Sequence, residues 1–253
     1  MQLHYSIQGQ GEPLVILHGL FGTLENWGAQ IKTLAEQFTV IAVDMRNHGR
    51  SPHDSEMTYP LMADDVIELL DHLGLDTVNL MGHSMGGKAA MQLVLNYPER
   101  VKRLIVVDIA PVEYEHHHVD VFKGLRAVDT EQLTSRGSAD QQLQAYVPEL
   151  SVRAFLLKNL YRNAEKRFAW RMNLDALEYQ YQHISQAPTG TPFEQPTLFI
   201  KGANSNYLLP EHRDTILSLF PQATYKLIQG AGHWPHAEKP ALFSKIVQTF
   251  LSA

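Results

Sequence analysis

The segment Gly82-His83-Ser84-Met85-Gly86 places a serine between two glycines, after an apolar run and before a helical pattern. A nucleophile at a sharp strand-to-helix turn needs small residues on both sides, because the backbone there is strained and crowded. The turn lifts the serine hydroxyl above the sheet edge, and the helix N-terminus favours negative charge that develops beside it. The pattern is short, but its position between a strand and a helix predicts that Ser84 is a nucleophile.

A serine hydroxyl is a poor nucleophile until a base removes its proton. Among the 13 histidines, His233 lies in the segment Gly230–Trp234, just past the last apolar run. All strands of a parallel sheet end on one side, where catalytic groups collect, so we predict that His233 is the base. His236 lies farther from the strand end, and His83 is expected to pack within the turn.

The base needs an acid that holds its tautomer and stabilises the imidazolium. Asp108 directly follows the apolar run Leu104–Val107, which we expect beside the nucleophile strand. After the run Thr197–Gly202 the sequence has amides where an acid is often found. We therefore predict that Asp108 is the acid, with Glu211 and Asp214 as alternatives at the start of the following helix.

An oxyanion needs backbone donors that are fixed before the reaction. One is expected to be the N–H of Met85, directly after the nucleophile. The segment His18–Gly22 follows another apolar run, and its glycines allow a sharp turn, so the N–H of Leu20 is the second predicted donor. Phe21 and Trp234 are predicted substrate contacts.

Lys158, Arg162 and Lys166 are spaced four residues apart, which predicts that they share one face of a helix. A solvated surface is the ordinary interpretation of such a stripe. The alternative is that Arg162 and Lys166 bind an anionic substrate group, such as the phosphates of an acyl-CoA.

Three consecutive histidines, His116, His117 and His118, suggest a metal site at first sight. Only the first and third could share a face of an extended segment, and no further ligand stands at a suitable spacing. We expect neither a metal nor a cofactor, because the predicted chemistry needs none.

The elements that must position these residues follow from short apolar runs that alternate with amphipathic stretches. Such runs suit strands covered on both faces, and their alternation with helices predicts an α/β fold with a mostly parallel, doubly wound sheet. The predicted strands are Leu14–His18, Val40–Asp44, Val78–Gly82, Leu104–Asp108, Thr197–Gly202 and Tyr225–Gly230. The opening Gln2–Gln8, followed by Gly9-Gln10-Gly11, predicts an antiparallel edge hairpin.

The alternation stops between Pro111 and Pro192, where helical patterns occur without a convincing buried strand. We therefore predict one core domain, residues 1–110 and 193–253, with residues 111–192 as a helical insertion before the last two strands.

Composition excludes several classes of protein. With 21 basic and 27 acidic residues, the net charge of −6 argues against nucleic acid as the main partner. The absence of cysteine excludes disulfides and thiol nucleophiles. No apolar run is long enough to span a membrane, and the N-terminus does not read as a secretory signal, so we expect a cytoplasmic protein that acts on small molecules.

Several of these segments together resemble the α/β-hydrolases, and more narrowly the bacterial YbfF-type esterases. The glycine-flanked Ser84 and the Gly-x-Gly-His segment at His233 are shared across the superfamily. The narrower matches are Asp44-Met45-Arg46-Asn47-His48-Gly49 and Asp108-Ile109-Ala110-Pro111-Val112.

The resemblance implies an esterase or thioesterase that works through an acyl-enzyme, with a Ser–His–Asp triad whose acid follows the sixth strand in the superfamily's count, in agreement with Asp108. It also implies that residues 111–192 form a lid. Dehalogenases and epoxide hydrolases of this fold carry a carboxylate where this chain has Ser84, so the resemblance argues against those two activities. Carbon–carbon bond hydrolysis, cofactor-free perhydrolysis and ligand binding without turnover remain alternatives, and the oligomeric state stays open.

Overall fold

The computed structural model describes all residues of the chain, 1–253. Its strands are β1 Tyr5–Gln8, β2 Glu12–Leu17, β3 Phe38–Val43, β4 Val78–His83, β5 Val101–Val107, β6 Leu160–Arg162, β7 Phe168–Trp170, β8 Thr197–Gly202 and β9 Ala223–Ile228. Its helices are α1 Gly28–Leu34, α2 Tyr59–His72, α3 Met85–Asn96, α4 Val119–Ala127, α5 Arg136–Leu143, α6 Leu150–Leu156, α7 Leu174–Tyr179, α8 Tyr181–Ser185, α9 Arg213–Leu219, α10 Pro235–Glu238 and α11 Pro240–Leu251.

Seven strands form one sheet in the order β1-β3-β2-β4-β5-β8-β9. All neighbours are parallel except β1, which runs antiparallel to β3 at one edge. The central strand β4 is buried along its whole length, as expected of a strand covered by helices on both faces. The predicted α/β fold with a mostly parallel sheet is confirmed.

The two faces of the sheet carry separate hydrophobic clusters. In β2, Val15 and Leu17 pack into the cluster that contains α2 and α3, whereas Leu14 and Ile16 pack into the cluster that contains α1 and α11. Helices therefore cover both faces, which makes the sheet doubly wound, and the common direction of the parallel strands places their carboxyl ends at one edge.

The first strand forms a different pair from the one predicted. It pairs with β3, with Tyr5 opposite Val43, so the expected hairpin with the next strand is wrong. Both edges of β2 are already occupied by its parallel neighbours β3 and β4. Gly9 and Gly11, which have positive φ angles, redirect the chain between the two strands.

The chain between β5 and β8 carries the helices α4–α8, but it also contains the antiparallel pair of β6 and β7. The segment, predicted to be a helical insertion without a convincing buried strand, is therefore not purely helical, although neither of the two strands is buried along its length. Both strands are only three residues long, too short for a periodic apolar pattern to reveal them.

This hairpin also overturns the predicted basic helix face. Lys158 lies in a short 3-10 turn, Arg162 in β6, and Lys166 in the tight turn between β6 and β7. The side chain of Asn163 accepts hydrogen bonds from the N–H groups of Glu165 and Arg167, which stabilises the turn against a helix.

None of the helices combines the length and the hydropathy that crossing a membrane requires.

Candidate active site

Ser84 lies at the tight turn between β4 and α3, with φ 53° and ψ −119°. Such a conformation is strained for a residue other than glycine. The turn brings the backbone so close together that a Cβ at position 82 would lie 2.1 Å from the carbonyl oxygen of Gly86, and one at position 86 would lie 2.4 Å from that of His18. Glycines on both sides are therefore a steric requirement of the turn.

The structure brings the side chains of Ser84, His233 and Asp108 together at the ends of β4, β9 and β5. His233 Nε2 lies 3.1 Å from Ser84 Oγ, although 149 residues separate them along the chain. His233 Nδ1 lies 2.7 Å from Asp108 Oδ2. Asp108 is fully buried and, like Ser84, has a positive φ, 53°.

Two further donors contact the Asp108 carboxylate. The N–H of Gly202, at the end of β8, donates to Oδ1 at 3.0 Å, and the hydroxyl of Ser205 donates to Oδ2. The two alternative acids, Glu211 and Asp214, are exposed and form no hydrogen bond with His233.

The ring of His233 is enclosed by aromatic side chains. Tyr207 stacks on it with ring centroids 4.0 Å apart and an interplanar angle of 26°. His83 Nε2 donates to the carbonyl oxygen of His233 at 2.7 Å, and burial lowers the pKa of His83. His236 stacks instead on Trp27, where burial lowers its pKa to about 3.

The N–H groups of Leu20 and Met85 donate to no group of the protein. The N–H of Phe21 is already engaged, because it donates to Nε2 of His48 at 3.1 Å. The other ring nitrogen of His48 donates to the carbonyl of Arg46 at 2.9 Å, and burial lowers the pKa of His48 to about 3, which keeps the ring neutral.

His48 was not singled out as a site residue, although its segment Asp44–Gly49 carries part of the family resemblance. Its contact with the backbone of Phe21 fixes the loop that presents the Leu20 N–H. Nothing in the spacing of the two segments predicts that contact.

Two spaces flank the predicted nucleophile. One is a narrow pocket of about 40 Å³, and the other is a groove of about 400 Å³. The pocket is lined by Leu20, Met85, Lys88, Ile109, Tyr114 and Tyr181. The groove is lined by Phe21, Val121, Val152, Phe155, His233 and Trp234.

The predicted substrate contacts divide between these spaces and the surface. Phe21 and Trp234 line the groove. Arg162 and Lys166 are exposed on the hairpin and line neither space, and the guanidinium of Arg162 donates to the carbonyl of Lys166 at 2.7 Å. These two basic residues are therefore not brought to the site.

A buried lysine at the pocket was also not predicted. Lys88 Nζ donates to the carbonyls of Ser185 at 2.8 Å and Gln186 at 2.6 Å and lies 4.7 Å from the ring centroid of Tyr114. Burial lowers its pKa to about 7. The only available sequence signal was its position one helical turn after Ser84.

A hydroxyl, an imidazole and a buried carboxylate in one chain of hydrogen bonds can move a proton from the hydroxyl onto the imidazole. Leu20 and Met85 both line the pocket beside Ser84, and their N–H groups are free of protein acceptors, which suits donors for a developing negative charge.

Comparison with known proteins agrees with the geometry. A family model described as the alpha/beta hydrolase fold matches residues 12–240. The chain belongs to this family. This α/β hydrolase is 39% identical to Esterase YbfF of Escherichia coli over 97% of this chain and 95% of that protein. It is 42% identical to the sn-1-specific diacylglycerol lipase ABHD11 of Mus musculus over 94% of this chain and 80% of that protein.

A solved structure titled "Marine microorganism esterase" matches this α/β hydrolase with a TM-score of 0.96 and 38% identity, over 98% of this chain and 99% of that one. The resemblance found in the sequence is confirmed at the level of the family.

Proposed function

We propose that this α/β hydrolase cleaves carboxylic esters through an acyl-enzyme, with Ser84 as nucleophile, His233 as base and Asp108 as the acid that orients the base. The observation that carries the proposal is the hydrogen-bond chain from Asp108 Oδ2 through both nitrogens of His233 to Ser84 Oγ. Relatives named esterase and diacylglycerol lipase support an ester as the substrate.

In the proposed reaction, His233 Nε2 takes the hydroxyl proton while Ser84 Oγ attacks the ester carbonyl. The Nδ1–H of His233 keeps its proton and its hydrogen bond to Asp108, whose charge stabilises the imidazolium. The N–H groups of Leu20 and Met85 hold the oxyanion, and His233 returns the proton to the leaving alcohol. Water, activated by the same base, then releases the acid.

The two spaces beside Ser84 suggest an ester whose two parts, the acyl and the alcohol part, differ in size; each part is called an arm below. The narrow pocket has the smaller volume of the two, about 40 Å³ against about 400 Å³, so we assign it the smaller part of the ester. The groove is about ten times larger and lies between the sheet edge and residues of the insertion, so we propose that residues 111–192 act as a lid that selects the larger arm.

A thioester carbonyl is open to the same attack, so thioesters belong to the same proposal. Arg162 and Lys166, the basic residues predicted to bind the phosphates of an acyl-CoA, line neither space, so the proposal gives them no part in substrate binding. The cytoplasmic location expected from the sequence stays a prediction.

The proposal is tested by Ser84→Ala, with Ser218→Ala, an exposed serine on α9, as the matched control. We expect hydrolysis of p-nitrophenyl acetate to fall at least about 10³-fold, because the nucleophile is removed. Labelling of Ser84→Ala by a fluorophosphonate is also expected to be lost. The control variant is expected to keep both ester hydrolysis and labelling, and thermal unfolding is expected to be unchanged in both variants. Turnover of Ser84→Ala close to the wild-type rate would contradict the proposal.

A further inference from the structure

Residues Gly19–Gly22, which we call the oxyanion turn, carry the N–H of Leu20, one of the two proposed oxyanion donors. The turn is closed by the N–H of Gly22, which donates to the carbonyl of Gly19 at 2.9 Å, so Leu20 and Phe21 are its central residues. Phe21 has a φ of 60°, a conformation for which this position of a turn ordinarily carries glycine. Such a strained residue persists only where its surroundings hold it.

The insertion contacts both the side chain and the backbone of Phe21. The Phe21 ring packs edge-on against Phe122 of α4, with ring centroids 5.2 Å apart. The Phe21 carbonyl accepts a hydrogen bond at 2.7 Å from Nδ2 of Asn159, which lies 138 residues farther along the chain. His48 of the core binds the N–H of Phe21, so the strained residue is held by the core on one side and by the insertion on the other.

Asn159 is itself held by its neighbours in the insertion. Its side chain is buried, and its backbone carbonyl accepts from the N–H of Arg171, directly after β7, at 2.9 Å. The guanidinium of Arg136 donates to the carbonyls of Leu157 and Leu160, on either side of Asn159. The amide that reaches the oxyanion turn is therefore anchored at its own backbone.

From these contacts we infer that Asn159 is a positioning residue: by holding the carbonyl of Phe21, it keeps the oxyanion turn in its strained form and the N–H of Leu20 in place for the oxyanion. Without this contact the turn can relieve the positive φ of Phe21, which moves the donor. The inference rests on the proposed function. It gives the insertion a part in stabilising the transition state, in addition to the proposed selection of substrate.

The first arm of the test compares Asn159→Leu with Gln141→Leu, which replaces an exposed amide on α5 of the insertion. A misplaced oxyanion donor acts mainly on the transition state, because negative charge on the carbonyl oxygen develops only there. We expect kcat for p-nitrophenyl acetate to fall about tenfold or more in Asn159→Leu, with KM changed less than about twofold. The control variant is expected to keep the wild-type kcat and KM.

The second arm measures inhibition by trifluoromethyl hexyl ketone. Ser84 Oγ adds to its carbonyl carbon, the hydroxyl proton passes to His233, and the carbonyl oxygen becomes an oxyanion like the one in the proposed reaction. Methyl hexyl ketone has the same chain and binds as the neutral ketone. In Asn159→Leu we expect Ki to rise about tenfold for the fluorinated ketone and to stay within about twofold for the other.

This second arm stays valid if Asn159→Leu folds only in part, because Ki reports on the folded molecules alone. Asn159→Ala removes the same donor without added bulk, and it is expected to give the same changes of kcat and Ki as Asn159→Leu.

Ser84→Ala in the same assay separates the two levels of the proposal. If Ser84→Ala is inactive while Asn159→Leu and Asn159→Ala keep the wild-type kcat and Ki, the positioning role is overturned and the proposed function stands. Equal rises of Ki for both ketones would also overturn it, because they would show a change in the shape of the groove rather than a loss of oxyanion support. If Ser84→Ala keeps its activity, the proposed function fails first.

Discussion

Ser84 and Asp108 share an uncommon backbone conformation at the ends of neighbouring strands. Each has a φ of 53°, which side chains other than glycine rarely adopt. Strain of this kind persists only where the surrounding structure holds it, and it concentrates at functional sites. Here the N–H of Ser84 donates to the carbonyl of Val107, and the N–H of Asp108 donates to that of Ile200, so strand-to-strand hydrogen bonds stabilise both turns.

The choice of acid can be tested at single residues. Asp108→Asn is expected to lower kcat/KM by at least about 10³-fold, because an amide orients the imidazole wrongly and cannot stabilise its charge. Glu211→Gln and Asp214→Asn are matched controls, since both carboxylates are exposed and neither forms a hydrogen bond with His233. Ester hydrolysis measured for the three variants decides which carboxylate is the acid. A larger loss of kcat/KM in either control than in Asp108→Asn would contradict the assignment.

Among the elements, α3 connects the proposed nucleophile to the insertion. Ser84 precedes its first turn, and Lys88 on its next turn donates to two carbonyls at the end of α8. Burial lowers the pKa of Lys88 to about 7, against an ordinary value of 10.5. Lys88 therefore links the core to the insertion, and this link depends on the protonation state of the Lys88 amine.

This link predicts how stability changes with pH. Between pH 7.5 and 9.5 the unfolded chain keeps the Lys88 proton that the folded chain has largely released, so the free energy of unfolding is expected to rise with pH by up to about 1.4 kcal/mol per unit. Urea denaturation of Lys88→Met is expected to lack this rise. Lys32→Met, at an exposed position on α1, should retain it.

The chain has no cysteine, so no thiol titration contributes to the pH dependence of the free energy of unfolding in this range. Burial lowers the pKa of the N-terminal amine, but Glu68 and Asp65 together outweigh it, so the pKa is raised. This amine contributes equally to all variants, and its effect cancels when the pH dependence of one variant is subtracted from that of another. A rise of equal slope in Lys88→Met would contradict the role given to Lys88.

Sequence patterns located most of the parallel strands because both faces of those strands are covered, which requires continuous apolar runs. The edge strand β9 was also located, although most of its residues are exposed. The patterns failed for β1 and for the β6–β7 hairpin. The partner of β1 depends on which strand edge stays free after the sheet assembles. In the hairpin, the side chain of Asn163 decides the turn, and the four-residue spacing of Arg162 and Lys166 carried no helical information.

The residues of the candidate site also fall into those that the sequence indicated and those that it did not. Ser84, Asp108 and His233 could be brought together from the sequence because parallel strands end at one edge. His48, Ser205 and Lys88 could not, because the contact that connects each of them to the site joins residues far apart along the chain.

At the scale of the whole molecule, the groove lies between two parts of the chain. The core contributes Phe21, His233 and Trp234, and the insertion contributes Val152 and Phe155. Trp234 and Phe155 face each other across this boundary with ring centroids 5.6 Å apart. If the groove holds the larger part of the ester, as proposed, the size of substrate that fits is expected to depend on how the insertion rests on the core.

Filling the groove from the insertion side tests this dependence. Val152→Trp is expected to lower kcat/KM for esters with a bulky arm at least about tenfold, because the added ring occupies groove volume, while p-nitrophenyl acetate is hydrolysed nearly as before. Ala154→Trp places the same ring on the exposed side of α6 and is the control. Equal losses for small and bulky esters in Val152→Trp would show that the groove does not hold the larger arm.

The pairing of β5 directly with β8 has a consequence for how such chains diversify. The backbone leaves the sheet after Val107 and returns at Thr197 on the adjacent parallel strand. Thr197 lies opposite Leu104, so the two attachment points are on neighbouring strands and only three residues apart along the strand direction. Doubling the length of a flexible segment between fixed ends costs only about 0.6 kcal/mol of closure entropy. Segments of other lengths and sequences can therefore be exchanged at this junction while the sheet edge keeps its geometry, which makes the junction a natural place to graft a new substrate range.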